Sequence, residues 1–149
     1  MLEFLRKLFA YDAWAISRSV GSLENSENSQ ARSLLAHVLL AEKIWLTRLN
    51  GEDSSHIPTF EEFSLAECVK LSDELHQAYL KFLDSLGEKD LDSAITYKNT
   101  RGVEFQTPIR DVLTHVGLHG VYHRGQIALL IKENGGAAVN TDYITFTRL

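Results

Sequence analysis

Cysteine is almost absent from this chain: Cys68 is the only one in 149 residues. That excludes an internal disulfide and any multi-cysteine zinc site, and leaves the thiol as a small packing residue. Proline is nearly as scarce, with Pro58 and Pro108 alone, as suits a helix-rich protein. No apolar run approaches the ~18 residues that span a bilayer. The amphipathic N-terminus, carrying Glu3, Arg6, Lys7 and Asp12, lacks the apolar core and small-residue cleavage site of a signal peptide. A cytoplasmic protein without a membrane partner is the expectation. There is no basic run, and the formal net charge is −5, so binding to nucleic acid through phosphate neutralisation is disfavoured. Internal repeats and low-complexity segments are also missing.

What is present reads as helix after helix, in one domain over residues 1–149 with enough apolar content (44%) to bury a core. The first helix is expected from about Leu2 to Leu23, with Leu5, Leu8, Phe9, Asp12, Ala13, Ile16 and Val20 at helical spacing. Gly21 and the polar run 24–29 end it. The second runs from about Ser29 to Leu49, with Leu34, Val38, Ala41, Trp45 and Leu49 as its periodic set, His37 on the flank, and Asn50-Gly51 as the stop. The loop Glu52–Phe63 is long for an antiparallel turn and can carry the chain along the bundle. Ser64 and Glu67 have capping-box spacing for a third helix reaching Gly87. Ala94–Tyr97 and Val103–Gln106 flank Asn99-Thr100-Arg101-Gly102 and predict a short hairpin. Pro108 then suits the first turn of a fourth helix ending near Glu133, before Asn134-Gly135-Gly136. The tail, with Tyr143, Ile144 and Phe146, is expected to pack back over the bundle end. The fold class is therefore all-α, a four-helix bundle.

The fourth helix holds half of the six histidines. His115, His119 and His123 follow one another at four-residue steps, which places neighbours on one helix face. Val112, Val116, Ile127, Leu130 and Ile131 recur along the same stripe, so the imidazoles are expected to face the helix-packed core and not water. One ion cannot take both ends of the row: eight residues rise about 12 Å, against zinc–nitrogen bonds of about 2.0–2.1 Å. Either adjacent pair can share an ion, and spacing leaves open whether His115 or His123 joins His119. The candidate third ligand is His37, the only histidine in the first helices. Three histidines with an open position form the pattern of a catalytic metal and not of a closed structural one. HxxxH lacks the base of HExxH, because Gly120 follows His119. His56 and His76 carry no signal. Gly117, Gly120 and Gly125 each lower helix propensity by ~1 kcal/mol relative to alanine. Close helix approach explains them blandly, and room for a substrate beside the metal explains them more sharply.

The residues also resemble a known family. HVGLHGVYHRGQIALLIKENGG is similar to the signature last helix of the DinB/YfiT family of metal-dependent enzymes. LFAYDAWA resembles its first-helix YNxWA segment, SLLAHVLLAEKIWLTRLNG its second helix, ITYKNTRGVEFQTPIRDVLTHV its strand-turn-strand entry to the last helix, and TDYITF its tail. The resemblance implies a bundle with a long crossover between helices two and three. It also implies one divalent metal on His37, His119 and His123; zinc suits imidazole and a soft thiolate and nickel is compatible with nitrogen donors, so the ion stays open between the two. His115 is then a substrate-facing or packed residue one turn away. Asp12 stands where many relatives carry asparagine, and an acid there is able to orient a ligand imidazole or a metal-bound water. Relatives that move groups to or from small cytoplasmic thiols point to a thiol S-transferase acting on a small-molecule thiol and an electrophile, with Tyr122 and Arg124 beside His123 as candidate helpers. The alternatives are a non-catalytic, stress-associated metal-binding protein forming a homodimer, and a metal-assisted hydrolase, which lacks an acidic base next to the ligands.

Overall fold

A computed structural model describes every residue except Asn25 and Glu27, so those two members of the polar run after the first helix lie outside it. The described chain forms α1 (Leu2–Glu24), α2 (Ser29–Leu49), α3 (Leu65–Asp84), a 3-10 helix (Glu88–Asp92), β1 (Ala94–Lys98), β2 (Glu104–Pro108), α4 (Ile109–Glu133) and a one-turn α5 (Tyr143–Phe146). Local chemistry sets these limits. Asn28 caps α2 by accepting from the Ala31 amide at 2.9 Å. Ser64 and Glu67 close the expected capping box on α3. In the hairpin, Asn99 Oδ1 accepts from the Arg101 and Val103 amides, and Gly102 takes φ +77°, so Ala94 lies opposite Pro108 and Lys98 opposite Glu104. Several boundaries differ from the sequence reading, the second strand among them, which starts at Glu104 and not at Val103. α3 stops at Asp84, short of Gly87; a 3-10 turn follows where no element is expected; and Pro108 is the cap of α4 and the last residue of β2.

Side-chain pairings give the helix directions. Arg6 near the start of α1 meets Asp84 at the end of α3 at 2.9 Å, so these two run antiparallel. Asp12 pairs with Arg124, and Leu8 lies against Gly117, so α1 and α4 are parallel. Asn28 donates to the Leu130 carbonyl while Trp45 meets His115, so α2 and α4 are antiparallel. α1 and α2 each pack between α3 and α4. The order is therefore up-down-down-up, and the segment between Leu49 and Leu65 has to travel the length of the bundle. It crosses over α2, burying Ile57 against Leu40 and Ile44.

Two apolar clusters fill the interior. Leu2, Leu5, Phe9, Tyr79, Leu83 and Leu113 belong to one, and Ile16, Leu23, Leu35, Leu39, Ile127 and Ile131 to the other. Between them lies a buried polar layer of Asp12, Glu42 and Arg124. The tail does not cross the bundle end. It lies along α1, with Val139 bound to Ser22, the Thr141 carbonyl accepting from the Tyr11 hydroxyl at 2.8 Å, and Tyr143 and Phe146 packed on the Tyr11 ring. Among the described residues, no helix is long and apolar enough to cross a membrane.

Candidate metal centre

The face of α4 turned to the core is lined by Val112, Val116, Gly120, Arg124, Ile127 and Ile131. The histidine row lies beside this face and not on it, which corrects the expectation of core-facing imidazoles. His115 is exposed, and His119 and His123 are half-buried. The reason lies in the helical repeat: four-residue steps drift around a helix of 3.6 residues per turn, so a row starting at the solvent edge only approaches the core. α2 presents His37 toward this row from the flank that also carries Leu34, Ala41 and Trp45, all half-buried.

One nitrogen from each of His37, His119 and His123 lies within 4.8 Å of the other two. The Nε2 atoms of His119 and His123 are 3.2 Å apart. Two zinc–nitrogen bonds of about 2.0–2.1 Å at a tetrahedral angle span about 3.3–3.4 Å, so this pair already has the separation of shared ligands. Hydrogen bonds select the donor nitrogens. His37 Nδ1 donates to the Thr59 backbone carbonyl at 2.7 Å, which leaves Nε2 with its lone pair. His123 Nδ1 is bound to Gln126 Oε1 at 2.7 Å, with the same consequence. The Phe60 ring stacks on His37 at 4.4 Å, and the Tyr122 ring meets that of His123 edge-on at 5.0 Å. Burial, reinforced by the charges that His123, His37 and His115 would carry, lowers the His119 pKa to about 4. Burial also lowers His123, against the opposing effect of the Gln126 bond. Both rings are therefore neutral and ligand-competent at pH 7. The donor set fits one divalent ion with a position left for another ligand.

His115 stands apart from the cluster. Its ring lies 5.6 Å from that of His119 and edge-on to Trp45 at 5.3 Å, and burial depresses its pKa. Tyr122 is 64% exposed on the rim. Arg124 is on the opposite side of α4 from the histidines. Its guanidinium, 2% exposed, holds Asp12 at 2.5 Å and lies over the Tyr11 ring. Burial works against that cation, but the Asp12 carboxylate outweighs it and the pKa rises. Asp12 consequently orients no ligand imidazole. Gly120 makes room for the pair: a Cβ there would fall 2.6 Å from Asp12 Oδ1 and 2.7 Å from Arg124 Nη1. Gly117 admits Leu8 of α1 in the same way, while Gly125 faces open space. The close-approach reading thus holds at Gly117 and Gly120, and neither widens the metal site.

Three contributors were missed in the sequence. Gln126 sits one turn after His123, a spacing that could have flagged it. Thr59 and Phe60 come from the crossover, where only the long loop was legible. Glu42 is a fourth surprise away from the site: burial first, then the Asp12 charge and a shared hydrogen bond, push its pKa well above the usual carboxylate range. His76 also has a half-buried ring whose Nδ1 finds no partner, beside a small cavity that Asp12, Glu42 and Ser72 help to line.

Comparison with known proteins bears on the family and the fold. The family model described as the DinB family matches residues 9–149. Protein DinB of Bacillus subtilis (strain 168) is similar at 26% identity over 167 aligned positions, covering 96% of this chain and 93% of that one. The crystal structure of a DinB-like protein from Bacillus cereus ATCC 10987 superposes with a TM-score of 0.67 at 16% identity, over 93% of this chain and 95% of its own, which shows a common fold. The match over nearly the whole chain and the three-histidine cluster lead to one assignment: the chain belongs to the DinB family.

Proposed function

We propose that this protein is a metal-dependent S-transferase that joins a small cytoplasmic thiol to an electrophile. The observation that carries the reading is the open set of His37, His119 and His123, with neutral imidazole donors and no fourth protein ligand among the described residues. A divalent ion held by these three imidazoles would supply Lewis acidity and so lower the pKa of a bound thiol toward neutrality. Imidazole donors suit both zinc and nickel.

The chain's own groups have separable tasks. His37 and His123 are held in one tautomer by Thr59 and Gln126, so no rotation is needed before ligand binding. Phe60 and Tyr122 border the cluster with their rings, against His37 and His123. In this reading His115, one turn from His119 with its pKa lowered by burial, takes the thiol proton. The sulfur then bonds to the electrophilic carbon, and the bond from that carbon to its leaving group breaks. Arg124 is a positioning residue: its pair with Asp12 fixes α4 against α1 directly behind the histidines. No carboxylate joins the cluster among the described residues, so hydrolysis lacks the nearby base that HExxH enzymes use.

Cobalt substitution tests the reading. Cobalt-loaded protein titrated with a series of small thiols should develop a sulfur-to-cobalt absorption band, absent in the His119→Ala variant. Bound cobalt without a band for any thiol would contradict transferase chemistry and leave a metal-binding protein without turnover.

A further inference from the structure

The end of α2, the start of the crossover and the hairpin enclose a cleft of about 760 Å³, within the roughly 300–1,000 Å³ usual for small-molecule sites. None of the three clustered histidines lines it. Arg48 of α2 does, half-buried and held from several sides. Its Nε donates to Ser54 of the crossover at 3.0 Å and its Nη2 to the Lys98 carbonyl of β1 at 3.1 Å. The guanidinium also lies 4.6 Å from the centre of the Trp45 ring and 4.9 Å from that of Tyr97. Nη1 makes no hydrogen bond among the described residues. Nor does any described carboxylate lie within ion-pair distance, whereas Arg6, Arg110 and Arg124 each have one. A guanidinium fixed in place with an unused edge is suited to receive a carboxylate. Burial lowers the Arg48 pKa, a penalty that an arriving anion offsets.

The cleft selects for more than a negative charge. Lys98 adds a second cation, but Glu52, Asp53 and Glu104 line the same space, so a bare anion meets more acid than base. Asp53 is kept ionised by hydrogen bonds from the Ser55 hydroxyl and amide. A ligand end that carries both a carboxylate and an ammonium satisfies both sets of groups. Trp45 links this cleft to the metal cluster. Its ring meets Tyr97 edge-on at 4.9 Å and His115 at 5.3 Å, and His115 lies 5.6 Å from His119. Across such steps a two-carbon thiol is too short to join the cluster to Arg48, whereas a chain of three or four residues, at about 3.3–3.6 Å each, has the length. We propose that the cleft binds the amino-acid end of a peptide-length thiol, Arg48 Nη1 taking its carboxylate and Asp53 its ammonium, while the sulfur reaches the three histidines. The sulfur end of this proposal rests on the S-transferase reading; the cleft and Arg48 do not.

Calorimetric titration of the zinc-loaded full chain with S-methylglutathione, a tripeptide whose sulfur is blocked, reads the cleft alone. Saturable binding is expected, weakened roughly tenfold or more in Arg48→Ala and less in Arg48→Lys, which keeps the charge and loses the planar fork. Asp53→Asn, at an exposed position, should also weaken it and carries the test if Arg48→Ala fails to fold. Far-UV dichroism and zinc content equal to the parent's show that each variant is folded. The sulfur end is read on the cobalt-loaded chain. Glutathione should produce the sulfur-to-cobalt band at lower concentration than cysteamine, which has no carboxylate, and that advantage should shrink in Arg48→Ala. No binding of S-methylglutathione at millimolar concentration would overturn the cleft, whatever the cobalt band shows. Equal binding by the parent and Arg48→Ala would overturn Arg48 as the anchor. Binding of S-methylglutathione without a band for any thiol would contradict the S-transferase reading and leave the cleft standing.

Discussion

His37 and His123 each commit Nδ1 to a neighbour, and that choice leaves Nε2 free for a metal. Such single-atom commitments recur in the polar layer behind them. There Arg124 has one charge and faces two buried carboxylates, Asp12 and Glu42. Asp12 takes the ion pair, and burial beside the Asp12 charge favours the protonated form of Glu42. The sign of the pH effect follows. Below the unfolded value near 4.5, Glu42 is protonated in both states and its contribution is intact. As pH rises, the unfolded chain ionises first, and stability is lost until the raised folded pKa is passed. Glu42→Gln should therefore raise unfolding stability at pH 7 and change it little at pH 4. Urea denaturation at the two pH values checks this. An equal effect at both would show that Glu42 is ionised in the native bundle.

At the scale of the elements, the glycines of α4 separate packing from propensity. Gly120→Ala gains helix propensity of ~1 kcal/mol but drives a methyl into the Asp12–Arg124 pair. The net effect should be destabilising, seen as a lower Tm, whereas Gly21→Ala in α1, where nothing lies within 4 Å, should be neutral or stabilising. A higher Tm for Gly120→Ala would mean that the pair has room to shift. The four long helices were legible because each repeats apolar residues over many turns and ends at a cap or a glycine, as Ser64 and Asn134-Gly135 show. The 3-10 turn Glu88–Asp92 is five residues with one buried side chain, Leu91, too short for periodicity to mark. The polar layer was illegible for a different reason. Glu42 reads as one more charge on an amphipathic helix, and Asp12 lies 112 residues from the arginine that justifies its burial. The histidine row showed its spacing but not its facing, since Val112 and Val116 lie near enough in angle to suggest a shared stripe.

The whole molecule joins three segments at one point. α2 brings His37, α4 brings His119 and His123, and the crossover brings Thr59 and Phe60. That convergence depends on the up-down-down-up order, because a short antiparallel turn after α2 could not run back along the bundle to reach His37. An ion bound only by the folded chain stabilises it by mass action, about 2.7 kcal/mol at a hundred times Kd. Zinc or nickel at such a level should therefore raise Tm in the parent protein and have no effect in His119→Ala; an equal rise in both would place the binding elsewhere.

The most direct measurement is metal content per chain, by mass spectrometry, for the parent reloaded with zinc or nickel and for alanine variants of His37, His115, His119 and His123. The three-histidine site predicts close to one ion per chain in the parent and in His115→Ala, and a loss in the other three. No bound metal in the parent, or a loss confined to His115→Ala, would contradict it.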